Sequence, residues 1–340
     1  MSNRVMTLLS EYASECEIYS IDEIFLNFHG MDHFNLKEYG TEIVKTIEKS
    51  TGIPVCLGVA PTKTLAKLAN RFAKKFPAYK RVCLIDNPEK REKALKLTEA
   101  GDVWGIGRRY ADKLSKFGVK SAWDFSQLSK SLVRKQMSIV GERIWRELHG
   151  ESCLPLESVQ PDKKQICTSR SFGQPVTELD DLSFAVANFA GQCAYKLRRQ
   201  NSAASSLMVF IATNWFNKNL PQYHNSKSVT LPVPSSSTTE VVKFARFALE
   251  KIYRPHFQYK KAGVIITEIT NADAVQGNIF YQTDLAKHDR LMVAIDNINN
   301  EAGRNIINVA AAGKGKSDML RNKLSPRYST RVEDLLRVKP

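Results

Sequence analysis

The stretch Glu17-Ile-Tyr-Ser-Ile-Asp-Glu-Ile-Phe-Leu-Asn-Phe28 holds two short apolar runs, 17–21 and 24–28, on either side of Asp22-Glu23. Isoleucine, tyrosine and phenylalanine favour extended backbone, so the pattern predicts an antiparallel hairpin with two adjacent carboxylates at its turn. Like charges so placed repel unless a cation joins them. Magnesium suits, because it takes hard oxygen ligands and often links one or two carboxylates to substrate phosphates. The plain alternative is an acidic hairpin turn. Working outward, residues 1–13 read as a helix that begins without a cap. A second helix runs from Leu36 to Ser50 and stops at Thr51-Gly52-Ile53-Pro54. Val55–Val59 reads as a short buried strand, and Pro61-Thr62 opens a further helix.

That helix reads Lys63-Thr-Leu-Ala-Lys-Leu-Ala-Asn-Arg-Phe-Ala-Lys-Lys75. Lys63, Lys67, Arg71 and Lys74 recur at helical spacing, while Leu65, Leu68, Ala69 and Phe72 form the opposite, core-facing stripe. No acid follows before Asp86, whereas solvated basic faces usually interleave acids to gain pairs. A cationic stripe near two carboxylates suits a triphosphate whose charge must be neutralised. A solvated basic face is the other reading.

Residues 91–160 read as wholly helical. Within them, Asp102-Val-Trp-Gly-Ile-Gly-Arg-Arg109 resembles a helix-hairpin-helix turn, with Gly105 and Gly107 letting a phosphate approach the backbone. Arg108 and Arg109 add charge there, and Ser121 with Asp124 suggests a capping pair. A polar link around 158–164 marks a boundary. Beyond it the pattern predicts strand 166–172, helix 180–200, strands 206–213 and 226–232, helix 238–253 and strand 261–269, a β-α-β-β-α-β unit. Ser169, Arg170 and Ser171 on one strand, with Lys260 and Lys261 on another, suit a sugar–phosphate backbone; an ordinary surface is the alternative. The 214–225 loop reads as polar. After 270, Gln276-Gly-Asn-Ile-Phe280 presents Gln276, Ile279 and Phe280 from a polar linker, a pattern suited to a partner's hydrophobic groove. A helix is expected at 284–301.

Composition narrows the partner. Fifty Lys+Arg against thirty-five Asp+Glu leave +15 and a pI near 9.5, which favours a polyanion. No apolar run approaches the roughly 18–20 residues that span a bilayer, so nucleic acid is favoured over membrane. Cys16, Cys56, Cys83, Cys153, Cys167 and Cys193 are scattered and read as free, mostly buried thiols of a reducing cytoplasm.

At Tyr19-Ser-Ile-Asp-Glu23, Thr62-Lys-Thr-Leu-Ala-Lys-Leu-Ala-Asn70 and Val103-Trp-Gly-Ile-Gly107, the chain resembles the Y-family of lesion-bypass DNA polymerases. Within it the likeness is to the UmuC-type catalytic subunits of bacterial DNA polymerase V. It continues through Cys167-Thr-Ser-Arg-Ser-Phe-Gly173, Tyr259-Lys-Lys-Ala-Gly-Val264 and Leu324-Ser-Pro-Arg-Tyr-Ser-Thr-Arg331. The resemblance implies an α+β, multi-domain architecture: a partial palm at 1–90, a helical thumb with the helix-hairpin-helix at 91–160, a little finger at 165–270 and a UmuC-type tail at 271–340. The implied activity is error-prone translesion DNA synthesis in the SOS response. Asp22 and Glu23 would then hold Mg2+, and Lys67, Arg71 and Lys74 would meet the incoming triphosphate. Gly105, Gly107, Arg108, Arg109, Ser169, Arg170, Ser171, Lys260 and Lys261 would hold DNA. Implied partners are damaged primer–template DNA, a sliding clamp bound through Gln276, Ile279 and Phe280, a processed UmuD-type dimer and a RecA filament. The implied location is the bacterial cytoplasm, at the nucleoid.

The family pattern opens with a strand carrying a first metal-binding Asp, in an Asp-x-x-x-Phe-Tyr-Ala-Ser context, followed by a fingers domain. This sequence has neither, and Met1 matches a point inside the palm. The expectation is therefore an incomplete second-ion site and catalysis slowed by orders of magnitude. The alternative function is a non-catalytic DNA- and clamp-binding fragment that competes with an intact polymerase. A different DNA repair factor is a third reading, against which the continuous likeness weighs.

Overall fold

The computed structural model describes residues 1–31, 33–157, 161–278, 280–281, 285–302, 306–313, 325–328 and 331–335. The chain forms two compact units, Met1–Gln160 and Pro161–Pro340.

The first unit opens with α1 (Ser2–Ser10), which has no side-chain N-cap, as its sequence suggests. The predicted hairpin forms as β1 (Cys16–Ile18) and β2 (Ile24–Leu26), antiparallel, with Cys16 opposite Leu26. Helix α2 (Leu36–Thr51) is capped by Asn35 and ended by left-handed Gly52, φ 72°. Next come β3 (Leu57–Val59), α3 (Lys63–Lys75) and β4 (Val82–Leu84), with β3 and β4 parallel. Strand β4 goes unnoticed in the sequence: three residues after left-handed Lys80 and Arg81 are too few to show a period. Leu65, Leu68, Ala69 and Phe72 are buried as the stripe requires, in a core shared with Leu95, Phe125, Met137 and Ile144.

Helices α4 (Pro88–Lys96), α5 (Arg108–Ser115), α6 (Ala122–Ser126) and α7 (Lys130–Leu148) complete this unit. The expected helical run to residue 160 thus ends early. After Gly150 (φ 90°), the Cys153 and Leu154 amides donate to the Glu147 carboxylate (2.7 and 3.3 Å) instead of continuing a helix. The Ser121–Asp124 capping box forms. Backbone donation from Ser121, then Lys120, holds the Asp124 carboxyl below its ordinary pKa.

The second unit has the expected order: β5 (Ile166–Val176), α8 (Leu179–Arg199), β6 (Ser202–Thr213), β7 (His224–Ser235), α9 (Thr238–Ile252) and β8 (Tyr259–Asn271). The sheet order is β5-β8-β6-β7 and every pair is antiparallel. Leu207, Val209, Ile211, Val264 and Ile266 face α8 and α9 in one core. Pro232 and Pro234 fall on edge strand β7, where a missing N–H breaks no inner ladder. Helix α10 (Leu285–Glu301) is fastened by Arg198, which donates to both Asp296 carboxylate oxygens at 2.6 and 2.7 Å.

The cysteines are free, but only Cys83 and Cys193 are buried and Cys167 is exposed. The expectation of mostly buried thiols fails, because Cys16, Cys56 and Cys153 are only partly buried and Cys167 lies on the outward face of an edge strand. Burial pushes the Cys193 thiol up to about 11.

Gly58 fixes how closely α3 lies on β3. A Cβ there would stand 2.1 Å from the Asn70 nitrogen and 2.4 Å from the Ala66 oxygen, both backbone atoms that cannot swing aside. Gly58→Ala is expected to cost about 2 kcal/mol or more by overpacking. Urea unfolding followed by tryptophan fluorescence checks this; an unchanged midpoint would show that α3 is not held by this contact.

Candidate active site and nucleic-acid interface

The orientation of α3 is set at its first turn. Thr62 caps it, accepting from the Leu65 amide, and donates its hydroxyl to the Glu147 carbonyl at 2.9 Å. The Glu147 carboxylate is fully buried and accepts from the Thr64 amide at 3.0 Å as well as from Cys153 and Leu154. A carboxylate at a helix N-terminus also meets the positive end of its dipole.

So oriented, the cationic face of α3 meets the hairpin. Lys63 pairs with Glu17 and donates to the Pro155 carbonyl, and the Glu157 amide donates to the same Glu17 carboxylate at 2.8 Å. Lys67 pairs with Glu23, and Arg71 with Asp102. The acids missing from the helix are therefore supplied by other elements. Lys67 Nζ also lies 5.3 Å from the Tyr19 ring centre. Trp104 packs edge-on against Tyr19 at 5.6 Å and donates its indole N–H to the Tyr19 hydroxyl.

Glu23, Lys67, Arg71 and Lys74 line one cavity of about 300 Å³, with Thr64, Asn70, Asp102 and Trp104. Lys74 makes no hydrogen bond or ion pair among the described residues. Two buried oxygens of lining residues, Thr64 Oγ1 and Asn70 Oδ1, have no partner in the protein. Buried polar atoms are rarely left so, and a polar ligand would satisfy them. Asp22 is exposed at the hairpin tip, next to the cavity wall in sequence, and accepts from the Ser20 hydroxyl. Asp22 and Glu23 carry hard oxygens of the kind magnesium takes, with Glu23 held by Lys67. Among the described residues, no group of three or more His, Cys, Asp or Glu side chains gathers as a metal cage.

The Trp104–Gly107 turn lies between a three-residue 3-10 helix, Ala100–Asp102, and α5. Val103 and Ile106 are buried and Gly105 has φ 92°. A Cβ at Gly105 would strike Ile144 at 2.6 Å, so that glycine serves packing, whereas Gly107 faces open space. Arg108 and Arg109 are exposed and make no ion pair among the described residues.

In the second unit, register divides the expected backbone-tracking residues. Ser169 lies opposite Gly263 and Ser171 opposite Lys261, on the outward face. By alternation Arg170 starts from the side of buried Thr168 and Phe172, yet it is itself exposed. Lys260 sits at a bulge and donates to the Gly173 carbonyl at 3.2 Å. Gln276 is exposed and Phe280 is 91% exposed; Ile279 lies outside the described residues.

Asp102, Asn70 and Thr64 join the cavity without having been singled out in the sequence. Asp102 carried a signal, as an acid directly before the glycine turn. The other two read as ordinary helix residues until their oxygens prove unpartnered.

The impB/mucB/samB family matches residues 1–71, its C-terminal domain residues 163–279, and a domain of unknown function (DUF4113) residues 289–338. Protein UmuC of Salmonella typhimurium is 40% identical over 343 residues, covering 100% of this chain and 81% of that protein. Protein ImpB of Salmonella typhimurium is 34% identical over 340 residues, covering 98% of this chain and 80% of that protein. Among solved structures, a Y-family DNA polymerase chimera of Dbh and Dpo4 is 21% identical with a TM-score of 0.59, covering 79% of this chain and 75% of that one. That last likeness speaks to the fold, and it bears out the mixed helix-and-sheet polymerase architecture expected from the sequence. With sequence likeness of this extent over nearly its whole length, the chain belongs to the impB/mucB/samB (UmuC) family of Y-family DNA polymerases.

Proposed function

We propose that this chain serves template-directed nucleotidyl transfer past damaged DNA. The observation that carries the reading is the cavity where Glu23 meets Lys67, Arg71 and Lys74. A nucleoside triphosphate entering it would exchange carboxylates for phosphate oxygens around Lys67 and Arg71, and Lys74 would add a cation. Both existing pairs are partly exposed (Lys67 20%, Arg71 47%), so their loss costs little, about 1 kcal/mol or less each. Released from Lys67, Glu23 would join Asp22 as a ligand for magnesium. When bound, that ion supplies Lewis-acid neutralisation of the phosphates. The unpartnered Asn70 and Thr64 oxygens offer further contacts within the cavity.

In this reading residues 1–90 act as a palm, 91–160 as a thumb and 165–270 as a little finger. Gly107 with Arg108 and Arg109, and the outward row of Ser169, Ser171 and Lys261, grip the DNA backbone without reading sequence. Exposed Arg170 adds a cation to that grip, while Lys260, tied to the Gly173 carbonyl, contributes less. The exposed Phe280, following Gln276, suits a sliding clamp. Family membership extends the proposal to a processed UmuD-type dimer, a RecA filament and SOS mutagenesis in a bacterial cytoplasm. No helix among the described residues is long and apolar enough to cross a membrane. A second reading, a DNA- and clamp-binding fragment without chemistry, is favoured by one observation: among the described residues, no three carboxylates come together here as metal ligands.

Fluorescence anisotropy on primer–template DNA tests the grip. Log affinity is expected to fall with log salt by about 0.9 per phosphate contacted. Arg108→Ala with Arg109→Ala should reduce that slope by about 2; a salt-independent affinity would remove the polyanion reading. For the clamp, Phe280→Ala is expected to weaken association while leaving DNA affinity intact. Loss of both together would show that the segment is structural.

A further inference from the structure

The β6–β7 loop, polar by composition, presents two large aromatic side chains to solvent: Trp215 is 64% exposed and Phe216 97%. Folding does not require this, because neither joins the core beneath the sheet. Nor is the loop slack. The Gln222 side-chain amide donates to the carbonyls of Asn214, Asn217 and Leu220 at 3.2, 2.8 and 3.0 Å, and its oxygen accepts from Thr213. Tyr223 then ties the loop's end to α9 through the Ile252 carbonyl at 2.7 Å. The aromatic pair is thus held out on a braced support, so little ordering is needed when it binds.

The surroundings decide what it binds. No Asp or Glu occurs between Asp181 and Glu240, a span that includes the loop and both its strands. Lys218 lies in the loop, and His224 contacts Trp215 with ring centres 6.3 Å apart. The register puts His224, Ala212, Lys261 and Ser171 in one outward row across the sheet end that carries the loop. Aromatic faces beside cations, with no acid in the loop or its two strands, match the chemistry of unpaired nucleic-acid bases, whose rings stack while the phosphates meet the cations. An apolar protein partner would account for the aromatics but not for the hydroxyl- and cation-lined row leading to them.

We infer that Trp215 and Phe216 form a stacking platform for unpaired bases of a single-stranded segment running off the duplex. The inference rests on the reading of the second unit as a DNA grip and adds a site to it. The test compares the full chain with a Trp215→Ala, Phe216→Ala double variant on a blunt duplex and on the same duplex with a single-stranded overhang. The parent should bind the overhang substrate more tightly and show quenched tryptophan fluorescence. The double variant should lose about tenfold or more on that substrate alone, and Trp215→Phe should keep most of the affinity. Unchanged overhang binding in the double variant overturns the platform, as does an equal loss on both substrates. A parent that binds neither substrate strikes instead at the DNA grip on which the platform depends.

Discussion

The buried carboxylate of Glu147 fixes where the cationic face of α3 points. Three backbone amides from two segments converge on it, and its own carbonyl receives the Thr62 hydroxyl. A fully buried carboxylate is tolerable only when its lone pairs are so occupied. In return the start of α3 is locked to the end of α7, and Gly58 sets its distance from β3. With both constraints in place, Lys63, Lys67, Arg71 and Lys74 project along a line that the Asp22-Glu23 hairpin can reach. Lys63 completes the arrangement, because its ion pair with Glu17 is nearly buried (10% and 11% exposed) and is shared with the 155–157 segment.

The same geometry explains why a dense cationic stripe is compatible with a folded protein. Two of the cations lining the cavity, Lys67 and Arg71, are neutralised by Glu23 and Asp102, which arrive from elements far apart in sequence. These pairs are partly exposed, unlike that of Lys63. The unit thus separates a structural pair, desolvated and tied to backbone, from partly exposed pairs, which a polyphosphate would replace under the proposed function. Lys67 belongs to the second class even though it stands one helical turn from Lys63. Tyr19 and Trp104 hold the hairpin against the turn before α5, so movement of either element would be felt at Glu23.

Much of this was legible in the sequence, for definite reasons. The α3 stripe and all six elements of the β-α-β-β-α-β unit rest on apolar periodicity, which burial enforces directly, whereas the hairpin reads from strand propensity, its Ile18 and Ile21 staying exposed. The Ser121–Asp124 box is local chemistry and also reads plainly. What did not read was non-local. Nothing in the order of residues says that Glu17, Glu23 and Asp102 meet one helix. Composition also misled at the β6–β7 loop, where abundant Asn masks two solvent-exposed aromatics. Cys167 was misjudged for a similar reason, since its exposure depends on which strand lies at the sheet edge.

The central claim is that the Asp22-Glu23 carboxylates and the α3 cations form a nucleotidyl-transfer site. Primer extension past a template lesion tests it most directly, with magnesium and all four nucleotides, comparing the full chain with an Asp22→Ala, Glu23→Ala variant. The account predicts slow incorporation by the parent and none by the variant, with DNA affinity unchanged between them. No incorporation by a parent that still binds the DNA, or equal incorporation by both, would contradict it.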